Sequence, residues 1–469
     1  MAEGRPATDS GDKKKQLGCE EFMINIVEDS PDIEPGEWPE CCIYRVPELL
    51  RRVEKEAYTP KLVHIGPLHY SMQQPKDIEI QKLRYLKGFC DRTKKSKNDL
   101  AGIIESDELK IRHCYSETFD QINSVEFVNM ILLDATFIIE FILRSRNPKV
   151  YDGDHIISKP CLVCHIWPDL ILLENQLPYF VLKKLYDFVL DGQENQQGQA
   201  PSFLKLACDF VLNNQEYSVP EGKEVKHLTD LLRTYYNLLH LRSKPFDKAG
   251  SGPEAEQFDE VCSATKLDEV GVKFKVAPPS RSLLDIKFNK KKCLDRCPWL
   301  NFSWLLACFP CLKRFACLER MQPSLEIPRL VIEDVTEGIF RNIMALEQCH
   351  YPMEAHFCHY VRLLDSIIDT EKDIELLVEK KIILNGLGSN VAAATFINKL
   401  CLQIVADGSC YVDIIKGLRS HYYDHWNRIM ATMERFYFGD FWRGAATVIG
   451  LLLLVNSLWG FLRPFVLKK

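Results

Sequence analysis

The stretch EFVNMILLDATFIIEFIL occupies residues 126–143 and carries apolar side chains on nearly every face of a helix. A helix that is apolar all round is buried in the core of a large protein or in a membrane. Asp134 and Glu140 interrupt this run, and charged residues are costly inside a bilayer. The sequence therefore predicts a helix buried at the centre of a large, mainly α-helical body.

Helical spacing of apolar residues continues on both sides of this run. The first series of predicted helices covers residues 78–90, 109–121, 162–190, 203–212 and 227–241. The segment 162–190 is predicted as two helices that break at LENQLP, because Pro178 suits the first turn of the second helix. The second series covers residues 336–349, 357–368, 374–380, 391–401 and 411–438. Thr370 and Asp373 have the spacing of a capping box at the start of the helix at 374–380.

Between the two helical series the period of the sequence changes. Residues 244–260 are rich in Gly, Ser, Pro and acidic residues, which predicts a linker. Apolar and polar residues then alternate at the end of 264–276 and at 283–288, and 325–332 is a third extended piece, as is typical of strands. Together these three pieces predict a small antiparallel β-meander.

The tail of the chain reads GAATVIGLLLLVNSLWGFL at residues 444–462 and contains no charged residue, while Arg443 and Arg463 flank it. About 20 consecutive apolar residues cross the hydrocarbon core of a bilayer as a helix. The tail therefore predicts one C-terminal transmembrane helix, with Trp459, Arg443 and Arg463 at the membrane interfaces. Residues 1–16 are polar and lack the apolar core of a signal peptide, so a cytosolic body held at the plasma membrane or an endomembrane is expected.

These boundaries divide the chain into six predicted parts. They are an extended or disordered lead-in at 1–40, a helical N-terminal half at 41–243, the linker at 244–260, the meander at 261–335 with a Cys- and Trp-rich insertion at 289–322, a helical C-terminal half at 336–440 and the membrane helix at 444–462.

Composition limits the classes of function. The 469 residues carry a formal net charge of −6, so the chain lacks the positive field expected of a nucleic-acid-binding protein. The 18 cysteines are scattered, and many, such as Cys114 and Cys208, lie in apolar helical patterns. Buried, reduced thiols are expected, in agreement with a cytosolic body, and no cofactor is predicted. Cys161-x-x-Cys164-His165 matches a haem-attachment string, but its apolar helical context favours buried thiols.

Several ordered motifs resemble a known family. They include IYRVPELLRR (43–52), AYTPKLVHIGPLHY (57–70), EFVNMILLDATFIIE (126–140), DLILLENQLPYFVL (169–182) and IIDTEKDIELL (367–377). These motifs are similar to those of the plant-specific family called domain of unknown function 247. The resemblance implies a plant protein with a mostly helical body and one C-terminal membrane helix. It supplies no catalytic residues, and some grass members resemble pollen-side determinants of self-incompatibility, which implies recognition of a protein partner.

The insertion at 289–322 departs from the pattern of that family, which usually has a short turn joining two strands there. It contains a group of cysteines that are candidates for lipidation, namely Cys293, Cys297, Cys308, Cys311 and Cys317. Trp299 and Trp304 lie among them, and cationic residues flank the group, which suits a membrane interface. The alternatives are a plain buried or disordered insertion and a zinc site, although only Cys308 and Cys311 have the short spacing of paired zinc ligands.

Asp134, Asp169 and Glu174 are acidic residues within apolar helical segments. One interpretation is an active site or a metal site, because carboxylates that face inward among helices can bind a divalent ion. The other interpretation is structural: residues 174–176 cap the helix break, and Asp134 meets Arg112, His113 or a backbone amide. The two differ in geometry, since catalytic acids should converge on an open cavity and structural acids should each meet a donor.

The sequence contains no phosphate-binding loop, nucleophile elbow or zinc-protease motif. The favoured hypothesis is a membrane-anchored plant protein that recognises an unidentified protein partner or takes part in signalling, without catalysis. The alternatives are a membrane-bound enzyme with an acidic pocket at Asp134, Asp169 and Glu174, and a structural scaffold. The oligomeric state is left open.

Overall fold

The computed structural model describes residues 34–151, 153–190, 201–212, 224–241, 262–291, 322–406, 408–437 and 441–466. Helices predominate within these ranges. They are α1 Glu48–Val53, α2 Lys76–Thr93, α3 Lys97–Glu105, α4 Glu108–His113, α5 Ser124–Arg146, α6 Pro160–Asp169, α7 Tyr179–Leu190, α8 Phe203–Val211, α9 Leu228–Leu241, α10 Ala264–Glu269, α11 Thr336–His350, α12 His356–Ile367, α13 Glu371–Glu379, α14 Asn390–Leu400, α15 Val412–Tyr423, α16 His425–Tyr437 and α17 Phe441–Val466. The strands are β1 Lys273–Val276, β2 Lys287–Asn289, β3 Ser324–Ile327, β4 Leu330–Ile332 and β5 Ile383–Asn385.

Helix α5 lies at the centre of the N-terminal half, as its sequence predicts. The Asn123 side chain caps its start by accepting a hydrogen bond from the Glu126 backbone N–H at 3.0 Å. Helices α2, α3, α7 and α8 pack around it. Within this core the Phe137 ring lies between Tyr85 and Phe141, at centroid distances of 5.3 Å and 5.9 Å. Helix α5 is apolar on every face because other helices pack on every side of it.

One continuous hydrophobic core includes side chains from both helical halves of the chain. Helix α9 contacts α11 and α12 across this junction. A buried ion pair joins the two halves there, with Arg233 Nε donating to Glu347 Oε1 at 3.1 Å. The Arg233 guanidinium also lies over the Tyr351 ring, 3.7 Å from its centroid. The predicted linker at 244–260 lies outside the described residues, and the six-part division of the chain stays a prediction.

The small sheets differ from the predicted antiparallel meander. The first sheet has the order β1-β3-β2, in which β1 is parallel to β3 and β2 is antiparallel to it. The second sheet consists of β4 parallel to β5. The stretch predicted as one strand at 325–332 forms two, because Pro328 cannot donate a ladder hydrogen bond and the chain changes sheet there. The partner of β4 lies about 50 residues further along, between α13 and α14, which local alternation does not reveal.

The predicted transmembrane helix at 444–462 is wrong. Over the part of the chain that the structure describes, no helix combines the length and the hydropathy needed to cross a membrane. The prediction relied on the length of the tail and its lack of charge, whereas a span also requires sufficient hydropathy along the helix. Arg443 and Trp459 are exposed on α17, and the side chain of Arg463 lies outside the described residues.

The predictions for the insertion stay predictions. Its five candidate lipidation sites and both interface tryptophans lie outside the described residues: Cys293, Cys297, Cys308, Cys311, Cys317, Trp299 and Trp304.

Candidate functional site

Asp169 holds an extended segment against the core. It is the last residue of α6 and is almost fully buried. Its carboxylate accepts hydrogen bonds from the backbone N–H groups of Lys61, Leu62 and Val63 at 2.9, 2.7 and 2.9 Å. Burial raises the pKa of this carboxyl group, and the three amide donors oppose the rise. The carboxylate is therefore engaged in ordering the backbone of residues 61–63.

Asp134 likewise binds the backbone of this extended segment, further along at Gly66. It lies within α5 and is fully buried. One oxygen accepts from the Gly66 backbone N–H at 2.8 Å, and the other meets Lys82 Nζ at 2.5 Å. Lys82 also donates to the His64 carbonyl oxygen. Burial raises the pKa of Asp134, which the Lys82 ammonium opposes. The amide part of the structural interpretation is confirmed, and the cation is Lys82, which α2 supplies.

Glu174 anchors the chain around the start of α1. Its buried carboxylate accepts from the Val46 backbone N–H at 2.7 Å and forms ion pairs with Arg45 and Arg51. His69 Nε2 lies 3.6 Å from the same carboxylate. Burial lowers the pKa of His69 to about 3, so its ring is neutral at physiological pH and adds no ion pair.

The residues after Glu174 complete these contacts. Asn175 Oδ1 accepts from the Ile65 backbone N–H at 2.7 Å, and its Nδ2 donates to the Val63 carbonyl oxygen at 2.8 Å. Gln176 Oε1 accepts from the Leu228 backbone N–H at 3.0 Å, at the start of α9. The polar side chains of the predicted helix break thus satisfy backbone groups that a broken helix and an extended segment leave without partners.

The structure brings a different set of residues together at a large cleft. A cleft of about 1210 Å³ opens where the N-terminal helices meet the small sheets. One wall comes from the end of α5 and from α6, α8 and α9, and the other from the end of β1, from β4 and from the start of α11. Asp134, Asp169 and Glu174 are not among the residues that line this cleft.

Aromatic side chains form one wall of the cleft. Trp167, Phe210, Tyr235 and Tyr236 are half-buried there. Trp167 Nε1 donates to the Phe210 carbonyl oxygen at 3.2 Å, which fixes the orientation of the indole. Burial raises the pKa of Tyr235, and it raises that of Tyr236 to about 12, so both hydroxyl groups keep their protons at neutral pH. This wall offers flat apolar surface with hydroxyl groups at its edge.

Two strand edges border the opposite wall. Within the described residues, β1 pairs with β3 alone and β4 pairs with β5 alone, so each has a second edge without a strand partner. In β4 the Leu330 N–H donates to Ile382, and Ile332 accepts from the Gly386 N–H. Residues alternate in direction along a strand, so the N–H and C=O of Val331 face away from β5. Val331 is 44% exposed and lines the cleft.

Arginines outnumber acidic residues in the lining of the cleft, where Arg146, Arg281 and Arg329 face Asp209 and Glu333. Asp209 forms an ion pair with Lys205 at 2.7 Å and a longer one with Arg146 at 3.9 Å. Arg329 is exposed, and its Nε donates to a carbonyl oxygen, that of Lys381, at 3.3 Å. A guanidinium whose hydrogen bond goes to a carbonyl retains its charge for a further partner. The rim therefore favours an anionic group in any occupant.

The sequence did not identify this cleft. Trp167, Arg329 and Val331 come from three separate parts of the chain, and none belongs to a motif with recognised chemistry. The haem-like string lies beside it on α6, where Cys161 and Cys164 are exposed rather than buried. The one signal in the sequence is the group of prolines at 278, 279 and 328, which mark the ends of short strands next to a concave surface.

The fold and the cleft define a class of mainly helical proteins in which small sheets complete a large groove between the two halves. The chain belongs to the DUF247 family, described as plant protein of unknown function, whose model matches residues 43–456. The resemblance seen in the sequence motifs is thus confirmed.

Two relatives from Arabidopsis thaliana match nearly the whole chain. The UPF0481 protein At3g47200 is 27% identical over 442 residues, which cover 88% of this chain and 84% of the relative. The putative UPF0481 protein At3g02645 is 22% identical over 489 residues, with 88% of each chain covered. No solved structure matches this chain.

Proposed function

We propose that this protein recognises a protein partner by binding an extended segment of that partner, rich in apolar residues and carrying carboxylate groups, in the cleft. The observation that carries the proposal is the outer edge of β4, where Val331 directs its N–H and C=O away from β5 at the border of the cleft. An exposed strand edge binds an extended peptide through main-chain hydrogen bonds, and pockets beside it select alternate side chains.

The size of the cleft supports a polypeptide occupant. Its volume of about 1210 Å³ exceeds the range of roughly 300–1,000 Å³ that is usual for small-molecule sites. The aromatic wall with Trp167 and Tyr236 provides rigid surface for apolar side chains at little cost in side-chain entropy. Arg146 and Arg329 at the rim complement carboxylates in the partner segment.

The enzyme alternative has less support. It requires Asp134, Asp169 and Glu174 to converge on a cavity with a proton to transfer. Each of the three instead accepts hydrogen bonds from backbone amides, with cationic partners added at Asp134 and Glu174. Recognition is therefore the function that we propose for this chain.

A displayed library of random peptides, selected against the purified full-length chain, tests the proposal. The selected peptides should be apolar with Asp or Glu, and their affinity is then measured by fluorescence anisotropy. Val331→Pro removes the outward N–H, and we expect it to weaken binding about tenfold. Arg329→Glu should weaken binding about fivefold, more at low salt than at high salt, because it reverses a rim charge.

Arg84→Glu is the matched control, since Arg84 is exposed on α2 and does not line the cleft. It should leave the affinity unchanged. Binding that survives both Val331→Pro and Arg329→Glu at full strength in folded protein would overturn the proposal.

A further inference from the structure

Helix α12 begins with two buried histidines that face the same way. His356 is its first residue and His359 follows three positions later, and each is only 4% exposed. Residues three apart are neighbours on one face of a helix. The two ring centroids lie 6.3 Å apart. Side chains three positions apart on one helix can ligate the same metal ion, as in the Glu-x-x-His pairs of helical bundles.

A cysteine from a distant part of the chain completes the group. Cys410 lies in the turn between α14 and α15 and is half-buried. The next residue, Tyr411, fixes this turn, because its hydroxyl donates to the Leu284 carbonyl oxygen at 2.7 Å and its N–H to Ser409 Oγ at 3.0 Å. One ligand atom from each of His356, His359 and Cys410 lies within 4.8 Å of the other two.

The kind of ligand atom selects the class of metal. Imidazole nitrogen and thiolate sulfur suit zinc and related first-row ions, whereas Mg²⁺ and Ca²⁺ prefer oxygen ligands. Tetrahedral zinc with its usual bond lengths places such ligand atoms roughly 3.3–3.6 Å apart. The separations here do not exceed 4.8 Å, so side-chain rotations that move the ligand atoms by about an ångström close the group around an ion. The partial exposure of Cys410 leaves a path for the ion to enter.

We propose that His356, His359 and Cys410 bind one Zn²⁺ ion through two imidazole nitrogens and one thiolate. The thiol releases its proton to solvent when the ion binds. Three protein ligands leave one coordination position of the tetrahedron for a further ligand. The ion joins the start of α12 to the turn before α15, and it thereby stabilises the packing of the C-terminal half. This site is separate from the cleft, and its test does not depend on the proposed function.

The experiment uses the full-length chain, purified under reducing conditions, stripped with a chelator and reloaded with Zn²⁺ alone. Bound zinc is counted by mass spectrometry of the metal, and Co²⁺ replaces zinc as a spectroscopic probe. We expect Cys410→Ser to lower the bound zinc by one equivalent per chain and to abolish the near-ultraviolet absorption of a thiolate–Co²⁺ bond. His359→Asn should weaken zinc binding by more than about tenfold, since changes in outer-shell partners alone cost 10- to 100-fold.

Cys401→Ser is the matched control, because Cys401 is also half-buried in the C-terminal half but is not part of the group. It should retain the zinc equivalent and the Co²⁺ absorption of the unmodified chain. Near-ultraviolet circular dichroism establishes that each variant is folded before the metal is counted. The proposal is overturned if folded Cys410→Ser and His359→Asn bind as much zinc as Cys401→Ser does.

Discussion

Asp169 illustrates at the residue scale how one buried carboxylate orders an extended segment, because it accepts hydrogen bonds from three consecutive backbone N–H groups. The sequence identified Asp134, Asp169 and Glu174 as unusual, since acids are rare in apolar helices. It could not identify their partners: Lys82 and Gly66, which meet Asp134, lie more than 50 residues away from it. Contacts between residues so far apart in the chain leave no recognisable local pattern in a single sequence.

Replacing Asp169 by alanine leaves three amide donors without an acceptor. We expect Asp169→Ala to lower the free energy of unfolding by about 3 kcal/mol, since each buried donor left unpaired costs about 1–3 kcal/mol. Chemical denaturation measures the loss, and hydrogen exchange should be faster at Lys61, Leu62 and Val63. Asp91→Ala, at an exposed position on α2, should change stability by less than about 0.5 kcal/mol. Equal effects of the two changes would contradict the structural role of Asp169.

We expect His227 to make the stability of the protein depend on pH. Its Nε2 donates to the Cys42 carbonyl oxygen at 3.1 Å, and its Nδ1 accepts from the Asp230 backbone N–H at 3.3 Å, so the ring is neutral in this arrangement. Burial lowers the pKa of His227 to about 4. The unfolded chain takes up this proton near pH 6.5, before the folded protein does. The free energy of unfolding therefore falls as the pH decreases from about 6.5 to about 4.

His227→Gln should remove this contribution. Between pH 4.5 and 6, the slope of unfolding free energy against pH should decrease by up to about 1.4 kcal/mol per pH unit. Denaturation curves at a series of pH values measure the slope. His165→Gln, at an exposed position on α6, is the control and should leave the slope unchanged. An unaltered slope in folded His227→Gln would show that another group is responsible.

At the scale of elements, local signals predicted most of the long helices but few of the strand pairings. The prediction missed α3, extended the helix at 109–121 beyond its end at His113, and merged α15 and α16 into one helix at 411–438. The capping box of Thr370 and Asp373 forms as its spacing indicates, and Asp373 also accepts from the Thr265 backbone N–H. Helix α5 follows from its length and apolar content alone. Strands β4 and β5 have three residues each, and their pairing depends on a close approach of two distant backbones. The hydrophobic periodicity of a single segment cannot predict such pairing.

The close approach of β4 and β5 depends on Gly386. A Cβ atom at this position would lie 2.8 Å from the Ile332 carbonyl oxygen, which is a backbone atom and cannot rotate away. We expect Gly386→Ala to lower the free energy of unfolding by about 1–3 kcal/mol. Gly102→Ala should instead raise it by about 0.5–1 kcal/mol, because Gly102 lies inside helix α3 and a Cβ there meets nothing within 4 Å. Opposite signs in thermal denaturation are the expected result, and a stabilising Gly386→Ala would contradict the close packing of β4 and β5.

At the scale of the whole molecule, the cleft arises where the two helical halves and the small sheets meet. Its aromatic wall comes from residues near 167, 210 and 235, and its open strand edge comes from residues near 331. The sequence predicted the halves and some of the strands, but not their arrangement in space. The membrane helix, inferred from the length of the tail and its lack of charge, was an error at this scale, because no helix among the described residues combines the length and hydropathy of a span.

Two exposed cysteines on α6 allow a direct measurement of occupancy in the cleft. Cys164 lines the cleft, whereas Cys161, one turn away on the same helix, does not. The rate of alkylation is measured for Cys164 in the Cys161→Ser variant and for Cys161 in the Cys164→Ser variant. Each is measured with and without a peptide selected from the displayed library. Mass spectrometry of the digested chain assigns the modified residue.

If the cleft is the site of recognition, peptide at about ten times its Kd slows the alkylation of Cys164 about tenfold, because the open fraction falls to about a tenth. The rate at Cys161 stays unchanged. A bound peptide that leaves Cys164 as reactive as before, or slows both cysteines equally, would contradict the account.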